Sequence, residues 1–203
     1  EGFRERLGSA IERQRSGPAA QALARIVRPF ILRRLKGEVA RELPARTDMN
    51  VEVILSAPEQ ALYARIRRSV LDALAGHSGG NPAQRRFQVL TAMMRLRQAA
   101  CHPRLLDPTS KLGSSKLNAL LEVLGELQEE GHRALVFSQF TSHLALVREA
   151  LDARAITYRY LDGSTPAAQR EAEVDAFQTG TASVFLLSLK AGGTGLNLTG
   201  ADY

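Results

Sequence analysis

The chain has a single cysteine, Cys101, among its 203 residues. One thiol excludes an internal disulfide framework and fits a reducing compartment. Cys101-His102 has no second Cys or His pair at ligand spacing, which argues against a structural zinc site. No apolar run approaches the ~20 residues that span a bilayer, and the N-terminus is too charged and mixed for a secretory signal. The expectation is a soluble, cytoplasmic protein with no membrane partner. A catalytic histidine constellation is also missing. His77 lies in a glycine loop, His102 precedes Pro103, His132 follows a helix end and His143 sits at a helix start, and each reads as a surface or capping histidine. Cys101, beside an apolar helix, reads as a packed thiol rather than a nucleophile.

What the chain does carry is positive charge, unevenly placed. Residues 1–112 hold 20 Lys and Arg against 10 Asp and Glu, whereas residues 113–203 hold 7 against 11. A basic, arginine-rich half joined to a mildly acidic half points to nucleic acid or an acidic protein as partner. The base composition of a GC-rich bacterial genome would give the same bias. With 44% hydrophobic residues, the length suffices for one full domain or two small ones.

The first half reads as helical, with one short strand candidate. Val51-Glu-Val-Ile-Leu55 is strand-like, and its pairing partner is expected outside the chain. Ser56-Ala-Pro-Glu59 is a capping box that opens a helix with Leu62, Ile66, Val70 and Leu74 on one face and Arg65, Arg67 and Arg68 mostly off it. After the loop Gly76–Pro82, a second helix runs from about Ala83 to Ala100. Its Phe87, Val89, Leu90, Met93, Met94 and Leu96 point several ways, which predicts packing on two sides. Asp107–Gly113 is the best boundary candidate. Beyond it, Ser114 or Ser115 caps a helix bearing Leu117, Leu120, Leu121, Leu124 and Leu127, and Gly131 ends it.

The second half alternates strands and helices. Ala134–Phe137, Thr157–Leu161 and Ser183–Leu187 are apolar strands, each ending in small polar residues, and amphipathic helices separate them. Leu144, Val147 and Leu151 share one face of the first helix, Val174 and Phe177 one face of the second. This order predicts an α/β fold with a parallel sheet, whose ligands collect at the carboxyl ends of the strands. There lie Ser138-Gln139, Asp162-Gly-Ser-Thr165, and a glycine-rich loop, Gly192-Gly-Thr-Gly195, entered directly from the last strand. Thr165 is placed to cap the helix that Pro166 begins, and the same turn offers backbone N–H groups and hydroxyls to a phosphate. The glycine loop completes neither familiar fingerprint. A P-loop needs a lysine where Ala201-Asp202 follows Gly200, and a dinucleotide loop needs a third glycine where Leu198 stands. A tight loop without a ligand stays open as a reading.

Taken in order, Arg28-Pro-Phe-Ile-Leu-Arg-Arg34, Glu42-Leu-Pro44, Gln60-Ala-Leu-Tyr63, Leu96–Pro103, Gly131–Gln139, Leu161–Thr165 and Leu187–Thr199 resemble the Swi/Snf family. Its members are ATP-dependent double-stranded DNA translocases of helicase superfamily two. The resemblance covers nearly the whole chain. It implies the end of a first RecA-like lobe with its helical elements over 1–55, a helical protrusion over 56–112, and a second RecA-like lobe over 113–203 that stops before the paired arginines reaching ATP. Such arginines stabilise transition-state charge, so the chain alone is expected not to hydrolyse ATP. The Walker lysine and the magnesium-binding acidic motif belong to the first lobe. ATP and magnesium are therefore expected in the full-length parent and not bound to this part.

Matched residue by residue, the family's motifs imply DNA contacts at Ser138, Gln139, Gly163, Ser164, Thr165, Ser188, Lys190 and Thr194. They imply nucleotide contacts at Gly193, Gly195 and Asn197. Lys190 stands where many relatives have arginine, which keeps the charge and loses the planar fork. Leu189 is an unusual choice for a polar slot. The implied partners are double-stranded DNA and the first lobe of the same parent, in a bacterial cytoplasm at the nucleoid. The alternative is an arginine-rich interaction module for an acidic partner.

Overall fold

All five residues of the strand Val184–Ser188 are buried, the pattern of a strand covered on both faces. It is the central strand of a parallel sheet, flanked by Ala134–Ser138 on one side and Tyr158–Leu161 on the other. In chain order these are β1 (Ala134–Ser138), β2 (Tyr158–Leu161) and β3 (Val184–Ser188). The computed structural model describes residues 2–3, 7–32, 34, 47–76, 81–193 and 195–203. The expected motif Glu42–Pro44 and His77 lie outside them, as does Thr194.

The side chains of β3 alternate between two cores, as strand geometry requires. Val184 and Leu186 pack with Leu117, Leu121, Leu124, Leu144, Val147 and Leu151. These come from the helices Ser115–Glu129 and Thr141–Asp152. Phe185 and Leu187 pack on the opposite side with Leu161 and with Phe177 of the helix Ala167–Gln178. Helices thus cover both faces of the sheet. The residues that follow Gly193 close the second core, where Leu196, Leu198 and Ala201 pack against it. The chain then runs beside β1, where Leu135 N–H donates to Tyr203 O at 2.7 Å and Tyr203 N–H to Arg133 O at 3.2 Å. The parallel sheet expected from the sequence is the one observed.

Three helices of this region end on a residue with left-handed backbone: Gly131 (φ 77°), Ala155 (φ 56°) and Gly180 (φ 85°). Each turn is closed by a wrapped hydrogen bond, His132 N–H to Leu127 O at 2.8 Å, Ile156 N–H to Leu151 O at 3.0 Å and Thr181 N–H to Ala176 O at 3.2 Å. Glycine reaches this conformation without strain, and alanine does not.

Before the sheet come two long helices, Ala57–Gly76 and Pro82–Cys101, the second capped by Asn81, whose Oδ1 accepts from Ala83 N–H at 2.9 Å. They pack on each other. The expectation that Pro82–Cys101 is covered on two sides is corrected. Phe87 (71% exposed), Leu90 and Met93 are exposed. Val51–Leu55, whose strand partner was expected outside the chain, pairs with no strand among the described residues, and Val53 and Leu55 are half-buried there.

Residues 1–50 form a separate compact unit. It contains the helices Ser9–Arg13 and Pro18–Val27, the second opened by Pro18 at its first position. Phe30, Ile31 and Leu32 behind them are exposed.

Candidate nucleic-acid interface

Register brings the strand ends together. Ser138 lies opposite Ser188 and Leu161 opposite Leu187, so the three following loops leave one edge of the sheet. They enclose a groove of about 860 Å³ lined by Gln139, Phe140, Thr141, Asp162, Gly163, Ser164, Ser188, Leu189 and Lys190, with Met94 from the long helix completing it. Five of the motif-matched positions meet here: Gln139, Gly163, Ser164, Ser188 and Lys190. Lys190 is exposed, and no ion pair of its ammonium group is found among the described residues.

The other matched residues are placed differently. Ser138 faces a neighbouring cavity of about 400 Å³, and its hydroxyl is spent locally, accepting from Phe140 N–H and donating to Phe140 O, both at 3.2 Å. Ser188 is buried, and its Oγ accepts from Ala191 N–H at 3.3 Å. That bond starts a single helical turn, Leu189–Gly192. The last strand therefore does not run directly into the glycine loop, a correction with a plain cause: Ser188 is an N-cap. A Cβ at Gly192 would come within 2.7 Å of the Phe137 ring, so a larger residue there would have to displace that ring. Gly193, Gly195 and Asn197 lie outside the groove, on the exposed side of a segment whose Leu196 and Leu198 point inward. Gln178 clamps this segment, donating to Asn197 O at 2.9 Å and accepting from Gly200 N–H at 2.7 Å.

Thr165 does not cap the following helix. The helix begins at Ala167, Pro166 is extended, and the Thr165 hydroxyl turns back to accept from Asp162 N–H at 3.1 Å. Asp162, which the motif reading passed over, organises the whole turn. Its Oδ1 accepts from Ser164 N–H at 2.8 Å and Ser164 Oγ at 2.6 Å, and its Oδ2 from Tyr160 Oη at 2.6 Å. The bonds from Ser164 and Tyr160 hold its carboxyl down at about 2. Burial, reinforced by the neighbouring carboxylate, pushes the Tyr160 hydroxyl up to about 12. Arg170 donates to Asp162 O at 3.0 Å and Thr165 O at 3.1 Å. An Asp-x-Ser spacing after a strand is the signature of such a turn and was available in the sequence.

His143 corrects another expectation. It is buried rather than a surface or capping residue, its Nε2 has no hydrogen-bond partner, and burial, with His102 and Lys116 nearby, lowers its pKa to about 4. His102 does cap, accepting from Arg104 N–H at 3.0 Å. Among the described residues no group of three or more His, Cys, Asp and Glu could hold a metal ion.

Residues 1–105 match the SNF2-related domain, and residues 115–203 the helicase conserved C-terminal domain. The chain belongs to the SNF2-related family. One relative of this SNF2 chain is the chromodomain-helicase-DNA-binding protein 1-like of Danio rerio, 38% identical over 190 residues that span 89% of the chain and 18% of the relative. A Bacillus subtilis protein provisionally named ATP-dependent helicase/translocase is 32% identical over 210 residues, 100% of the chain and 22% of the relative. The SNF2 chain thus spans about a fifth of the length of the curated relatives it matches. In fold it resembles the Sulfolobus solfataricus SWI2/SNF2 ATPase core in complex with dsDNA, with a TM-score of 0.70 and 24% identity over 98% of the chain and 43% of that protein. These matches lend no support to an interaction module as the chain's sole role. No helix among the described residues is long and apolar enough to cross a membrane.

Proposed function

We propose that the chain supplies the second motor lobe and adjoining helices of an ATP-dependent double-stranded DNA translocase or remodeller. The observation that carries this reading is the groove at the carboxyl edge of the sheet, where Gln139, Gly163, Ser164 and Lys190 are gathered. Small residues admit a phosphate backbone closely, and the lysine neutralises it without reading bases, so binding is sequence-tolerant and salt-dependent. Ser138, Thr165 and Ser188 sit at the same strand ends, and Thr194 joins the proposed contacts by its motif position alone. Ser138, Thr165 and Ser188 shape the edge through the internal bonds described above.

In this reading residues 1–55 are the end of the first lobe and its helical extension, 56–112 a helical protrusion, and 113–203 the second lobe. Gly193, Gly195 and Asn197 form one border of the nucleotide cleft, which the first lobe of the parent completes with its lysine and magnesium. ATP closes the two lobes, and each grips a strand through its phosphates. The Bacillus relative supports a bacterial origin, and a cytoplasmic place at the nucleoid is part of the same proposal. The test is the ATPase rate of the full-length parent with and without duplex DNA. Stimulation by duplex that is lost in Lys190→Glu supports the proposal, and a rate indifferent to DNA refutes it.

A further inference from the structure

We propose that Asp162 is a resident anion that competes with DNA phosphate for the donors of the 162–165 turn, holding the loop self-bonded until a strand displaces it. The inference rests on the DNA-contact reading above and deepens it. Its ground is a count of donors. A phosphodiester only accepts hydrogen bonds. Ser164 has one backbone N–H and one hydroxyl proton, and both go to Asp162 Oδ1, at 2.8 and 2.6 Å. The Thr165 hydroxyl proton leans on the same oxygen at 3.4 Å, and Thr165 N–H on Asp162 O, also at 3.4 Å. Tyr160 Oη holds Oδ2.

Ser164 is exposed in the groove that also contains Lys190, yet it cannot donate to a phosphate while it serves Asp162. The carboxylate also carries the wrong sign for that groove. Hydrogen bonds to an ionised acceptor are stronger than those to a neutral one, so a neutral replacement loosens the hold. Were Asp162 only a scaffold for the turn, its replacement would weaken DNA binding. As a competitor, it does the opposite.

The experiment measures binding of a labelled blunt duplex to the full chain by anisotropy. The variants are Asp162→Asn, Ser164→Ala and the double variant, with Asp175→Asn on an exposed helix face as a control for net charge. The competitor role predicts about fivefold tighter binding for Asp162→Asn, the effect of one unit charge repulsion near ~4 Å in water. It predicts no change for Asp175→Asn. Ser164→Ala weakens binding by itself, because one hydroxyl donor to the displacing phosphate is lost, and it abolishes the gain in the double variant. Binding by Asp162→Asn that is equal or weaker at an unchanged melting temperature overturns the inference, as does a gain that Ser164→Ala leaves intact. Asp162→Ser, neutral and still able to accept from Ser164 N–H, replaces the asparagine variant if that one unfolds. Amide hydrogen exchange reads the resident bond without DNA. A Ser164 amide slowed in the wild type and released in Asp162→Asn, in a chain that binds no duplex, places the failure with the DNA-contact reading. A Ser164 amide that exchanges freely in the wild type places it with Asp162.

Discussion

The carboxylate of Glu59 accepts the backbone N–H of Ser115 at 3.0 Å, across 56 residues of sequence, and also accepts from the Ser115 hydroxyl. The same side chain takes Ser56 N–H at 2.9 Å and Ser56 Oγ at 2.7 Å. One buried carboxylate thus serves the first turns of two helices, Ala57–Gly76 and Ser115–Glu129, and fastens the helical pair to the sheet region. Burial alone would raise its pKa, but the hydrogen bonds from Ser115 and Ser56 outweigh burial and hold it below its ordinary value of 4.5.

Replacing Glu59 by Gln keeps the volume, loses the charge and sets an amide donor against the Ser115 donors. Stability is expected to fall by about 1–3 kcal/mol in urea unfolding at neutral pH. Because the folded pKa is depressed, the wild-type contribution is present above pH 4.5 and disappears as the pH falls through the lower folded value. An unchanged midpoint in the variant would show that the bond contributes nothing.

His143 gives a second pH signature. Its folded pKa of about 4 lies below the unfolded 6.5, so the unfolded chain takes up the proton first. The neutral imidazole's contribution is complete above pH 6.5 and is lost as pH falls toward 4. Melting temperature should therefore decline over that window, and His143→Gln should flatten the decline. A slope that persists in the variant assigns it to other groups.

Ala155 occupies a position that Gly131 and Gly180 fill in the two neighbouring helix ends. Ala155→Gly relieves the left-handed strain of φ 56°. Part of this is offset by the greater freedom of glycine in the unfolded chain. The net expectation is a stabilisation of about 0.5–1 kcal/mol by chemical denaturation. A loss of stability would mean that the alanine side chain makes a contact worth more than the strain.

Lys190→Ala should weaken duplex binding to a similar degree for every sequence and reduce the slope of log affinity against log salt by about 1. Titration of several unrelated duplexes at a series of salt concentrations measures both quantities. An unaltered slope removes Lys190 from the phosphate contact.

The sheet was legible because each strand is a short apolar run with a polar end, and the helix faces because leucines recur at helical spacing, as in Leu117, Leu121 and Leu124. The convergence of the loops followed from parallel order alone. Other features depend on where a hydrogen bond goes, which spacing does not record. Thr165 looked like a cap, yet its hydroxyl faces Asp162; the capping role of Ser188 is another bond that spacing did not announce. Burial of His143 comes from the helix pair packed beside it, a long-range event. The exposed Phe87, Leu90 and Met93 show the reverse: apolar residues predict burial only where a second element exists to cover them.

Hydrogen–deuterium exchange of the chain with and without duplex DNA tests the central claim most directly. Protection confined to the strand-end loops around Gln139, Gly163, Ser164 and Lys190 is the predicted result. Protection centred on the arginines of Ala57–Gly76, with those loops unchanged, would contradict the account.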